Sequence, residues 1–227
     1  MTALEEVEGT GETFSVEQLM DVRARTRKAV HLIAEHVHAG MREDDANAMA
    51  RETLTGLGMQ RGWHKTLVRF GPNTTKNFSE KSADGTILGN DDIFFIDIGP
   101  IYDGTEGDAG DTFVVGTNVE HHRAKREVRI IWDQVRDKWF HDGTTGKELY
   151  DYAIETAAGF GWNLNLDLSG HRLSDFPHSA HYDGPLAEVE FRPNPNLWVL
   201  EIAIVHPDGT FGAFYEDLLL EDQSFPE

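Results

Sequence analysis

Phe94-Phe95-Ile96-Asp97-Ile98-Gly99 sets one carboxylate in the middle of a run that is otherwise apolar and rich in β-formers. With Ile93 ahead of it, the run reads as a strand buried on both faces. A carboxylate inside such a strand is costly unless a cation or hydrogen-bond donors meet it. Leu197-Trp198-Val199-Leu200-Glu201-Ile202-Ala203-Ile204-Val205 repeats the anomaly in the last third of the chain. Each anomalous strand is followed by a turn and a return. Asp103-Gly104 is a tight-turn dipeptide, Asp108 lies eleven residues after Asp97, and Thr112 to Val115 reads as the returning strand. His206-Pro207-Asp208-Gly209 turns the second hairpin, and Phe211 to Leu220 returns with Glu216 fifteen residues after Glu201. Residues so placed on opposing arms can share one face. Four acids on two analogous hairpins, with little Lys or Arg around them, need a cation, and divalent metals take oxygen ligands well. His171, between the hairpins, is the candidate nitrogen ligand, with His178 seven residues on. His121 and His122 read as surface residues, and His31, His36 and His38 as helix-face or cap residues.

The flanking segments are helical by pattern. Ser15-Val16-Glu17-Gln18 has the form of a capping box, and Leu19, Val22, Thr26, Ala29, Val30, Ile33 and Val37 follow at helical steps. Asp44 to Leu57, Val119 to Phe140 and Thr145 to Ala158 read as further helices, and Leu67 to Phe70 as a strand. Asn163 to Leu168 reads as an alternating strand and Tyr182 to Phe191 as one of mixed pattern. The order helix, helix, strands thus occurs twice, which makes the chain α+β with duplicated halves. Residues 1–13 read as a disordered acidic lead, and 14–227 as one two-lobed catalytic domain.

At 227 residues the chain can bury roughly 70% of its extended-chain surface, so it needs no staple in order to fold. It has no cysteine, which excludes disulfide scaffolds, thiolate zinc sites and cysteine nucleophiles. Forty acidic against twenty basic side chains give a net charge of −20. That excess repels phosphate backbones and anionic lipid, so neither nucleic acid nor membrane is an expected partner. Most of these carboxylates read as a solubilising surface. Met1 to Thr13 has neither a basic nor an apolar signal region, and no run approaches the ~18 apolar residues of a membrane span, so a cytoplasmic location is expected.

The set Asp-Ile-Gly (Asp97), Gly-Asp (Asp108), Gly-His with a second histidine seven on (His171, His178), then Glu201 and Glu216, resembles the M24 metallopeptidases. That family includes methionine aminopeptidase, Xaa-Pro aminopeptidase and prolidase, and has the pita-bread (creatinase/aminopeptidase-like) fold. The resemblance implies two divalent ions, for which Mn, Co, Fe and Zn suit the ligands alike. Asp97 would bind one ion, Asp108 and Glu216 would bridge both, and His171 and Glu201 would complete the other. It further implies cleavage of an amide bond in a small peptide by a metal-bound hydroxide, with Glu201 as general acid/base and His178 on the substrate carbonyl. A homodimer is the candidate assembly. The Asp-Ile-Gly form leans slightly to the Xaa-Pro branch. Three departures stand out. The family's upstream histidine is replaced by Asn77 or Phe78, Ile202 stands where a proline is usual, and Arg172 to Asp175 replace small residues, which should narrow or recharge the pocket. Trp63, His64 and Asn77 are candidate substrate-binding residues; loop packing is the other reading of Trp63-His64. A non-catalytic binding protein on the same fold, or a hydrolase of a non-peptide amide, are the alternatives.

Overall fold

The computed structural model describes residues 3–220. Their order is α1 (Ala3–Val7), α2 (Val16–Ala34), α3 (Glu43–Gly56), β1 (Arg61–Gly62), β2 (Leu67–Phe70), β3 (Asp92–Ile98), β4 (Pro100–Tyr102), β5 (Thr105–Glu106), β6 (Ala109–Val115), α4 (Val119–Asp142), α5 (Gly146–Gly159), β7 (Asn163–Leu164), β8 (His171–Arg172), β9 (Trp198–Val205) and β10 (Gly212–Leu218). Helices start where side chains satisfy the first free N–H groups. Ser15 accepts from Gln18 N ahead of α2, Asn118 caps α4, and Thr145 and Glu148 form a reciprocal capping box on α5.

The main sheet runs β2-β3-β6-β10-β9-β7, with β8 also on β9, and every pairing is antiparallel. Alternation along the strands divides its two faces. On one face, Phe94, Ile96 and Ile98 pack against Val30 and Ile33 of α2 and Leu54 of α3. On the same face of the other half, Leu200, Ile202 and Ile204 pack against Val128, Ile131 and Trp132 of α4 and Leu149 of α5. Each such fully buried side chain stabilises the fold by about 1.5–3 kcal/mol. Phe95, Ala203 and Phe214 belong to a separate cluster with Leu168 on the opposite face. The duplicated helix–helix–strand plan read from the sequence is therefore the plan of the molecule.

Four local expectations need correction. Residues 3–13, read as a disordered lead, form α1 and a turn instead. The reason is Arg172, which is fully buried and draws acceptors from the lead: its guanidinium donates to Val7 O, Gly9 O and Leu197 O. Asp175 accepts from Gly11 N and Thr13 Oγ1 alongside. Tyr182 to Phe191 holds no strand, only a turn of 3-10 helix at Leu186–Glu188. Asn163 to Leu168 pairs over only its first two residues. His121 is buried edge-on against Phe211.

Candidate metal centre

Strand register aligns the acids. Asp97 pairs with Gly110, Gly110 with Glu216, and Glu216 with Glu201, so one row crosses four strands. Gly110 leaves the row open between Asp97 and Glu216, where a Cβ would stand 2.8 Å from Glu216 Oε1. Asp108 sits just ahead of β6, and His171 enters on β8, opposite Val199. The structure thus brings together all five residues expected as metal ligands. Solvent reaches little of the acids: relative exposure is 5% at Asp97, 2% at Asp108, 9% at Glu201 and 1% at Glu216.

So many buried carboxylates cannot all ionise unaided. Burial pushes Asp97 up to about 7 against the pull of His64. Burial also raises Glu201, and raises Glu216 well above the usual range, where the charges of Asp108, Asp97 and Glu201 add to it. Asp108 goes the other way, because its contacts with His171 and His64 outweigh burial. His171 Nε2 lies 2.8 Å from Asp108 Oδ2, and His64 Nε2 lies 3.1 Å from Asp108 Oδ1 and 3.5 Å from Asp97 Oδ1. Burial opposes the imidazolium, yet these carboxylates raise His64 to about 9 and His171 to about 10. Glu216 Oε1 is buried with no hydrogen-bond donor among the described residues, and Asp108 Oδ2 lies 2.8 Å from His171 Nε2. A carboxylate oxygen aimed at nothing, in a set of acids that resist ionisation, fits a divalent ion. Among the described residues, two groups have ligand spacing: His64, Asp97 and Asp108, and Asp108, His171 and Glu216.

Around these ligands, other side chains hold position. Gly170 N donates to Glu201 Oε2 at 2.6 Å, and the Tyr150 phenol donates to Glu201 O while accepting from Glu201 N. Glu106, itself buried, grips His178 through Nδ1 and the backbone N. Trp63 Nε1 donates to Gly107 O, and its ring lies 4.4 to 5.0 Å from those of His64, His171 and His178. Above the acids opens a cleft of about 280 Å³, lined by Trp63, His64, Phe78, Leu168, His178 and Pro185, with Asp167 and Asp183 among its polar groups. Asn77 does not line it; its side chain accepts from Ser79 and Glu80 in a turn and donates to Asp167, and Phe78 faces the cleft instead. Arg172 does not recharge the pocket, because it points into the packing against α1 and Trp198. Sequence reasoning missed Glu106 and Tyr150. Glu106, two residues before Asp108, offered a local signal; Tyr150, on a helix face, offered none.

A duplicated helix–helix–strand plan that closes a buried acid-and-imidazole cluster between two hairpins defines the pita-bread class of metal-binding folds. The model of metallopeptidase family M24 matches residues 17–221, and the chain belongs to that family. It is similar to methionine aminopeptidase 2 of Mycobacterium tuberculosis, 28% identical over an alignment of 120 residues that covers 48% of this chain and 40% of that protein. In structure it resembles the prolidase from Pyrococcus horikoshii OT3, with a TM-score of 0.73 and 20% identity over 94% of this chain and 61% of that one. It likewise resembles methionine aminopeptidase from Thermotoga maritima, with a TM-score of 0.71 and 17% identity over 91% and 93% of the two chains. The chain spans less than half the length of the curated relative it matches and about three-fifths of the prolidase.

Proposed function

We propose that this chain is a metal-dependent peptidase of the aminopeptidase or Xaa-Pro type, acting on a small peptide in the cytoplasm. The observation that carries the reading is the convergence of buried Asp97, Asp108 and Glu201 with His171 on one cleft, with buried Glu216 beside Glu201 in the same strand register and His178 on the wall. Asp97, Asp108, His171, Glu201 and Glu216 would hold two divalent ions. Four carboxylates carry the charge that two such ions neutralise. When bound, the ions polarise the scissile carbonyl and lower the pKa of water. The remaining work falls to side chains. Glu201, one oxygen anchored by Gly170 N, takes the proton from water and delivers it to the leaving amine. His178, held at Nδ1 by Glu106, keeps Nε2 for the substrate carbonyl. Trp63, Phe78, Leu168 and Pro185 form apolar walls that exclude water and bound the side chain accepted. A homodimer is the assembly proposed.

The test is hydrolysis of a panel of dipeptides, X-Pro peptides and simple amides in the presence of Mn, Co, Zn or Fe. Turnover is expected with at least one of these ions, and Glu201→Ala should reduce it roughly 10²–10⁴-fold with an unchanged circular dichroism spectrum. Metal binding without turnover of any substrate would overturn the peptidase reading in favour of a binding protein on this fold.

A further inference from the structure

We infer that His64 is a metal ligand, the nitrogen donor to the ion held by Asp97, so that each of the two ions receives one imidazole. This rests on the dinuclear reading above and adds a residue to it. The observations are geometric. His64 and His171 stand on either side of Asp108 in matching arrangements. His64 Nδ1 is 2.8 Å from Lys65 O, and His171 Nδ1 is 2.7 Å from Arg172 O, so each ring is tied to the carbonyl of its own next residue. A carbonyl only accepts, so both rings carry their proton on Nδ1. That contact commits Nε2 to the other task. A histidine bound to a metal through one nitrogen usually donates its other N–H to a carbonyl or carboxylate.

The Nε2 atoms then face opposite oxygens of a single carboxylate, His64 toward Asp108 Oδ1 and His171 toward Oδ2. The spacing suits a cation. Ligand atoms about 2.0–2.2 Å from a common ion stand roughly 2.8–3.1 Å apart at octahedral angles and roughly 3.3–3.6 Å apart at tetrahedral angles. His64 Nε2 is 3.1 Å from Asp108 Oδ1 and 3.5 Å from Asp97 Oδ1. The ring is also built into place. β1 pairs with β4, Trp63 N donates to Gly99 O, and a Cβ on Gly99 would overlap the His64 ring. The glycine of Asp-Ile-Gly is thus the floor on which His64 lies.

A nitrogen at each ion makes the pair more alike and shifts preference toward borderline ions such as Co(II) and Zn(II), away from the all-oxygen chemistry favoured by Mg(II). The assignment also explains why the Trp63-His64 pair is pinned over the acids rather than left at the mouth of the cleft.

The experiment titrates Co(II) into the ion-free full-length chain and follows binding by calorimetry and by proton NMR in H2O. Two ions are expected in wild type, with two hyperfine-shifted, solvent-exchangeable imidazole N–H signals, one from each histidine. His64→Ala should lose one of the two signals and weaken one of the two ions at least about 100-fold, beyond the 10- to 100-fold typical of losing an outer-shell partner. His171→Ala should remove the other signal. The wild-type NMR spectrum needs no variant, so it stands even if His64→Ala does not fold. Two ions with a single exchangeable imidazole signal, and unchanged affinities in His64→Ala, would overturn the His64 assignment and leave the metallopeptidase reading intact. No Co(II) binding by wild type would overturn both.

Discussion

Glu201 shows how much support a single site residue draws from its surroundings. It is the one acid in the nine-residue apolar run Leu197–Val205, and β8 and β7 cover β9 only at Trp198–Val199 and Ile204–Val205. Over the gap, the Tyr150 phenol of α5 serves both the N–H and the C=O of Glu201. Tyr150→Phe leaves those buried backbone groups without that partner, at a cost of about 1–3 kcal/mol; a urea melt should show it, and an unchanged midpoint would refute the role. Glu106 acts through His178 and touches none of the acids by hydrogen bond or ion pair among the described residues. In Glu106→Gln, kcat should fall while the Co(II) isotherm stays as in wild type. A parallel loss of metal affinity would place Glu106 among the ligand supports instead.

At the level of elements, two couplings hold the site to the fold. α2 is fastened to β10 by Arg23 and Arg27, which meet Asp217 at 2.6 and 2.8 Å in a buried cluster beside Glu216. Their guanidinium groups hold the Asp217 carboxyl below its usual range in spite of burial. Asp217→Ala strands two buried guanidinium groups and should cost about 3–5 kcal/mol, read as a lowered denaturation midpoint; loss under 1 kcal/mol would show that water reaches the pair. The second coupling is the packing of the β1–β2 connection on β4. In Gly99→Ala the new methyl displaces His64 and Trp63, so Co(II) titration should resemble that of His64→Ala while Asp97 itself is intact. Wild-type affinity for both ions would mean that the loop yields at no cost to the site.

For the whole molecule, the burial of these ionisable groups predicts a pH-dependent response to metal. Asp97, at about 7 in the fold against 3.8 unfolded, keeps a proton that the unfolded chain has lost, and Glu201 and Glu216 are shifted the same way. The contribution of Asp97 to stability therefore falls as pH rises from the ordinary carboxylate range through about 7, and those of Glu201 and Glu216 also fall as pH rises. His64 and His171, raised from 6.5 to about 9 and 10, contribute stability that is full below 6.5 and is lost as pH rises through those values. Asp108, held low, contributes stability that is lost only in acid, outside this window. Both windows weaken the ion-free protein as pH climbs, and a divalent ion takes the place of the departing protons. At Co(II) near 100 times Kd the gain is about 2.7 kcal/mol, or roughly 5–10 °C in Tm. Thermal melts with and without Co(II) should show a gain that is small at pH about 5.5 and largest at pH about 8.5. A gain independent of pH would contradict the coupling of these protons to the site. Among the described residues, no helix is long and apolar enough to cross a membrane.

The five acid and histidine residues proposed as ligands were legible because each breaks a local rule. An Asp or Glu inside an apolar strand, or a Gly-His between two hairpins, is conspicuous in one dimension, and strand alternation then assigns the face. The helices were legible for the same reason, since capping and a 3.6-residue period are local. His64, Glu106, Tyr150 and the partners of Arg172 were not. Their roles depend on which remote backbone lies beside them: β1 on β4, the 105–106 strand under His178, α5 across the gap in β9, and α1 over Arg172. The amino-acid order determined which side chains demand a cation, through the cost of burying charge. Only the tertiary structure set a second imidazole, that of His64, beside the acids, because contacts between distant segments are set by packing.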